Sequence, residues 1–337
     1  MTTTRLLSGL LRAATFLPGV GCAAWAVGAV FFDFPWPSWR VAGSASLALA
    51  FVCALALLPG RCFKLAALLG GFLIVLAWWL TLRPSDARNW QPDVARTAWA
   101  EIAGDHVTLH DVRNCDYRTE TDYTPRWETR EVSLAQLTAV DVATIYWGSP
   151  WIAHVIVSFQ FADAPPVCFS IETRMEVCET YSALAGFYRR YELIYVVADE
   201  RDVLRLRTDY RPGAAGQGED VYLYRTTTTT DQARGRFLEY LAALNKLHRQ
   251  PRWYNAVTAN CPTSIRSQQD PAHRDRWDWR FLLNGKIDGL LYERGELVTG
   301  GLNFPDLKAR SLINPTARNA GESPDFSTLI RASQVIQ

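Results

Sequence analysis

Three uncharged stretches dominate the start of the chain: residues 13–32, 41–60 and 65–82 contain no Asp, Glu, Lys or Arg. Each runs roughly 18–20 residues, the length a helix needs to cross a bilayer core of about 30 Å. Trp36, Trp39, Trp78 and Trp79 fall near their ends, where interfacial aromatics gather. The pattern predicts a three-helix membrane anchor over residues 1–83. A cleavable signal peptide is the competing reading of the first stretch, but no small-residue cleavage site precedes Asp33 and two further stretches follow. Arg5 and Arg12 precede the first span, and Arg61 and Lys64 lie between the second and third, while Arg40 stands with Asp33 in the first turn. The positive-inside rule then places the N-terminus in the cytoplasm and everything after Arg83 on the far side, the periplasm of a bacterial inner-membrane protein.

Beyond residue 83 the pattern changes. Residues 84–104, punctuated by Pro84 and Pro92, read as a linker with a first short helix, and residues 105–310 as one domain with its own core. Alternation predicts strands at 106–110, 152–161 and 167–172, the last two joined as a hairpin. The apolar, β-branched runs at 193–197 and 221–225 predict two more. Ser133 with Gln136 has capping-box spacing and predicts a short helix over 133–142. Residues 181–189 read as a helix. So do residues 231–248, where Phe237, Tyr240, Leu241, Leu244 and Leu247 recur at threes and fours. Residues 311–337 read as an irregular tail. The fold class expected is α+β: the membrane helices, then a mostly antiparallel sheet with a cysteine-bearing helix.

A net charge of +1 over 337 residues offers no electrostatic footprint for nucleic acid, so bilayer lipid is the expected partner. Seven cysteines do not make a disulfide scaffold: Cys22, Cys53 and Cys62 lie in or beside the spans, and a Cys168–Cys178 bridge is open in an oxidising compartment. His106 and His110 share a strand face, but no CxxC or HExxH pattern supplies further ligands, so neither metal nor other cofactor is expected. No GxSxG, P-loop or dinucleotide fingerprint occurs. The charged residues at 200–207 read as a solvated surface, with an ion-pair network or an anion-binding rim as alternatives.

Candidate chemistry centres on Cys261. Pro262 follows it and can open a helix, which would place the thiol at the positive end of a helix dipole and favour the thiolate. His154 stands in an apolar strand, on the face opposite Val155 and Val157, and is the candidate base that would pair with the thiolate as an imidazolium. Glu172, on the next strand, is brought toward His154 by the hairpin and would orient it. The bland readings are a core histidine and a small buried thiol.

The strings Asn114–Arg118, Trp147, Ile152–Phe159, Phe169–Arg174, Glu200–Arg207, Tyr254-Asn255 and Asn260–Thr263 together resemble the Lnb N-terminal periplasmic domain family over about residues 100–270. The resemblance implies a circularly permuted papain-type fold, related in plan to NlpC-type and lecithin:retinol acyltransferase-like proteins, with the histidine strand before the cysteine helix. It implies Cys261 as nucleophile and His154 as base. Asn260 and the Cys261 amide would stabilise an oxyanion, and Ser170, Arg174 and Tyr254 of the matching strings would face substrate. The expected activity is cysteine-dependent acyl transfer or hydrolysis on a lipid, phospholipid, lipoprotein or peptide. A peptidoglycan amidopeptidase and a non-catalytic envelope module are the alternatives. The family's namesake carries its membrane helices after the domain; here three come first and none follows Cys261.

Overall fold

A helix that is apolar all round has no face to hide from lipid, and the three uncharged stretches form such helices. In the computed structural model, which describes residues 2–211, 218–256, 258, 264–266, 276–332 and 334, α1 spans Thr2–Asp33, α2 Pro37–Leu57 and α3 Gly60–Thr81. All three contain windows long and apolar enough to cross a membrane, beginning in α1 at Phe16. Pro37 at the first turn of α2 lacks only an amide that would be unpaired there. The helices pack through small residues: a Cβ on Gly71 of α3 would meet the Phe51 ring of α2 at 2.5 Å. Two compact units result. One comprises Met1–Ser85 with Tyr181–Tyr191, the other Asp86–Thr180 with Glu192–Gln337.

The second unit is built on an eight-stranded sheet. Its strands are β1 (Trp99–Ala103), β2 (His106–Arg113), β5 (Trp127–Ser133), β6 (Leu137–Tyr146), β7 (Ala153–Phe161), β8 (Val167–Arg174), β9 (Glu192–Ala198) and β10 (Asp220–Arg225). The short strands β3 (Asp116–Tyr117) and β4 (Tyr123–Thr124) pair with each other apart from it. The order is β1-β2-β9-β8-β7-β6-β10, with β5 also on β2, and every pairing is antiparallel except β2 with β9. A bulge after Leu109, where Asp111 takes φ 55°, shifts the β2–β5 register, and beyond it Arg113 pairs with Trp127 of β5 and with Ala198 of β9.

Both faces of the central strands are buried. Phe159 and Phe169 meet Phe237 and Tyr240 of α5 (Thr230–Arg249) edge-on, with ring centroids 4.9–5.9 Å apart. The threonine run ends by capping this helix: Thr229 and Gln232 form a reciprocal capping box. On the opposite face Ile145, Ile156, Cys168, Ile194 and Val196 pack with Val203 and Leu204 of α4 (Glu200–Arg205) and with Ile313, Ala317, Phe326 and Ile330.

Several expectations are corrected. The 84–104 linker already contains β1, held on β2 from Trp99 onward. Residues 133–142 are no helix: Ser133 makes no capping bond, only Leu134–Gln136 turn, and β6 follows. Residues 181–189 contain only the short turn Ala185–Phe187. The described part of the C-terminal stretch is helical, with helices Phe304–Ser311, Asn314–Ala320 and Phe326–Leu329, and it buries Ile313, Ala317, Phe326 and Ile330. Arg331, 8% exposed, reaches Asp141 at 2.8 Å and Glu200 at 2.5 Å. The charged run 200–207 is an ion-pair network: Glu200 and Asp202 are fully buried, and Asp202 takes a forked pair of bonds from Arg113.

Removing one partner of a buried ion pair leaves an uncompensated charge and costs about 3–5 kcal/mol. Arg331→Ala is therefore expected to lower the melting temperature of the full chain in detergent clearly, whereas Lys246→Ala, exposed on α5, should leave it nearly unchanged.

Candidate functional site

The β7–β8 hairpin sets the geometry. Ile156 pairs with Ser170, so His154 and Glu172, two residues further along each strand, lie on the same face of the sheet. His154 is 8% exposed and Ser170 fully buried. The hairpin does bring Glu172 to the histidine, but with a serine interposed: His154 Nε2 lies 2.6 Å from Ser170 Oγ, Ser170 donates to Glu172 Oε1 at 2.6 Å, and Nε2 is 3.7 Å from that carboxylate oxygen, beyond a direct hydrogen bond.

The carboxylate is anchored from behind. Arg207 donates to Glu172 at 3.0 Å and to Glu219 at 3.1 Å. It stands on the π-helical segment Leu206–Tyr210 that continues α4. A π turn takes one more residue than an α turn and so redirects the side chains beyond it, a device frequent at functional sites.

Charge and proton positions are set by these partners. Burial alone would raise the Glu172 carboxyl, but Arg207 first and then His154 outweigh it and hold the group well below the usual carboxylate range. An ionised Glu172 has no proton to give, so the Ser170 hydroxyl donates to it and its oxygen accepts from His154 Nε2–H. The neutral ring then carries its lone pair on Nδ1. Burial, and secondarily Arg207, lower the imidazole to about 3 against the weaker opposing pull of Glu172. Among the described residues, these surroundings favour the neutral ring.

The other expected residues have varied fates. Arg174 shares the β8 face with Ser170 and Glu172, but its guanidinium is spent on Val94 and Ala95 carbonyls, each at 2.8 Å, on Asp86, and on the Trp90 ring. It pins the segment before β1 to the sheet. Tyr254 is buried, in a stretch fastened to the start of β9: Leu193 donates to the Arg252 carbonyl at 2.8 Å and Trp253 bridges Glu192. Cys261 and Asn260 lie outside the described residues; Ser264–Arg266 just beyond them are helical. Cys168 and Cys178 are both free, so no bridge joins them. Burial pushes the Cys115 thiol up to about 12 and the Cys168 thiol up as well, which leaves both inert. His110 stacks on Trp99, and among the described residues no cluster of His, Cys, Asp and Glu is arranged to hold a metal. Sequence spacing missed Arg207 and Glu219: one sits in a charged run, and the other is remote in sequence.

The histidine gives a signed pH dependence. Its pKa is about 3 folded and near 6.5 unfolded, so between these values the unfolded chain binds more protons, and stability falls as pH drops through 6.5 toward 3. Glu172 adds a slope of the same sign below its ordinary 4.5. His154→Gln is expected to flatten the melting temperature against pH between 6.5 and 5. In the unsubstituted chain the His154 ring resonances should not titrate above pH 5.

Comparison with known proteins agrees with the stretch that carries this geometry. No curated protein and no solved structure matches the chain. A family model described as the Lnb N-terminal periplasmic domain matches residues 123–285, from β4 past the cysteine segment, and leaves the Asn114–Arg118 string outside. Over residues 123–285 this membrane-helix protein is similar to the Lnb N-terminal periplasmic domain family.

Proposed function

We propose that the protein is a membrane-anchored, periplasm-facing cysteine acyltransferase or hydrolase in which Cys261 is the nucleophile and His154 the base. The observation that carries this reading is the imidazole itself: buried, neutral, and held through Nε2–H by Ser170 and Glu172, so that its basic nitrogen is Nδ1. A core histidine needs one partner; this one has a serine, a carboxylate and an arginine behind it, inside a domain similar to this family. The basic residues flanking the spans support a cytoplasmic N-terminus.

In the proposed reaction Nδ1 takes the Cys261 proton as sulfur attacks an ester or amide carbonyl. The oxyanion is met by the Cys261 amide and Asn260. The imidazolium so formed is stabilised by Glu172 through Ser170, and it returns its proton to the departing alcohol or amine, leaving a thioester. An amine or water, deprotonated at Nδ1, then releases the acyl group. With the ring neutral at the outset, the thiol proton passes to Nδ1 during attack.

Incubating the full chain with diacyl phospholipid, with an acylated lipopeptide, and with muropeptides separates the substrate classes. The reading predicts an acyl mass on Cys261 from one of the first two, absent in Cys261→Ala. His154→Ala should slow its formation about 10²–10⁴-fold. Ser170→Ala, which frees the ring to turn, should cost about 10²-fold. Cleavage of muropeptides alone would shift the reading to an amidopeptidase; no adduct and no turnover with any of them would end it.

A further inference from the structure

The excursion between β8 and β9 belongs to the membrane unit. Tyr181–Tyr191 groups with α1–α3, and its contacts there are specific. Tyr188 stacks on Phe32 at 5.0 Å and packs against Trp25 at 6.0 Å. A Cβ on Gly28 would collide with the Tyr188 hydroxyl, so the ring occupies space that only glycine leaves open. The Arg189 amide donates to Asp33 at 3.0 Å, and its guanidinium caps the end of α3 through the Trp79 and Leu82 carbonyls at 2.7 and 3.0 Å while lying over the Trp79 ring at 3.9 Å. Trp79 itself donates to Asp33 at 2.6 Å.

These contacts fix a depth. Gly28 lies five residues before Asp33 at the end of α1, about 7.5 Å down the axis at 1.5 Å per residue. Tyr188 thus reaches into the apolar part of the span. At the same end of the bundle Trp36 and Trp39 stand exposed, as aromatics at a bilayer interface do. Beside Tyr188 the loop turns outward two large apolar side chains that stay uncovered among the described residues: Leu184, 67% exposed, and Phe187, 48% exposed.

We propose that the β8–β9 loop is a membrane-inserted wedge, with Leu184 and Phe187 in contact with phospholipid at the α1–α2 turn. Continuity with the three spans decides the occupant: the loop is bonded to helix ends that lie at a bilayer surface, and its exposed side chains are apolar where that surface is apolar. The inference does not depend on the chemistry at Cys261.

Photoreactive benzoylphenylalanine placed at position 184 or 187 of the full chain, reconstituted in phosphatidylethanolamine–phosphatidylglycerol vesicles, tests it by mass spectrometry. Lipid adducts at both positions, with at least a tenfold lower yield from Ile102 (exposed in β1), are expected. Tyr188→Ala should release the wedge, lowering the adduct yield and opening Arg189 and Arg190 to trypsin. Adducts to a second polypeptide, or a lipid yield no higher than from Ile102, would overturn the proposal. So would tryptic cleavage at Arg189 in the unsubstituted, vesicle-bound chain. Each readout can be taken in Cys261→Ser, where a failure of the acyl chemistry has no bearing on it.

Discussion

A carboxylate shut away from water keeps its charge only beside a cation, and at the centre of this domain that cation is Arg207. Its grip on Glu172 at 3.0 Å is the interaction that orders the rest of the site. With Glu172 ionised, the Ser170 proton has one place to go, and with that proton committed the serine oxygen can only accept from His154 Nε2–H. One ion pair thereby selects a tautomer two side chains away and turns Nδ1 into the basic nitrogen. Glu219 holds the other arm of the guanidinium, so Arg207 is fixed in direction as well as in place.

The same face of the sheet carries two further buried charge clusters, Arg113 with Asp202 and Arg331 with Asp141 and Glu200. Each joins residues distant in the chain. Such pairs add little net stability over apolar packing, but their rupture is costly. Here they lock α4 and the C-terminal helices onto the sheet face that also holds His154. The opposite face needs no charge: its aromatic contacts with α5 suffice. The domain is thus apolar on one side of the sheet and electrostatically keyed on the side where chemistry is proposed.

Much of this was legible in the sequence, and the failures have physical causes. The spans, β7–β9 and α5 were readable because each repeats one environment over many residues. The meeting of His154 with Glu172 was readable because a hairpin with alternating faces leaves few registers. β6 was missed because both of its faces are buried, which erases alternation, while Ser133 and Gln136 imitate a cap. Residues 181–189 looked helical because their apolar side chains serve the membrane unit at irregular spacing. The tail helices are four to eight residues long, too short for a period to show. Ser170 as the intermediary and Arg207 as the anchor rest on contacts between residues far apart in sequence, which no local pattern encodes.

The central claim is that the imidazole is held through Nε2 so that Nδ1 serves the Cys261 thiol. The most direct measurement is an experimental high-resolution structure of the full chain in lipid that locates Cys261. If Nδ1 is the base, the sulfur lies about 3–4 Å from it, with Nε2 still on Ser170. A sulfur far outside that reach, or one facing Nε2 with the ring turned away from Ser170, would contradict it.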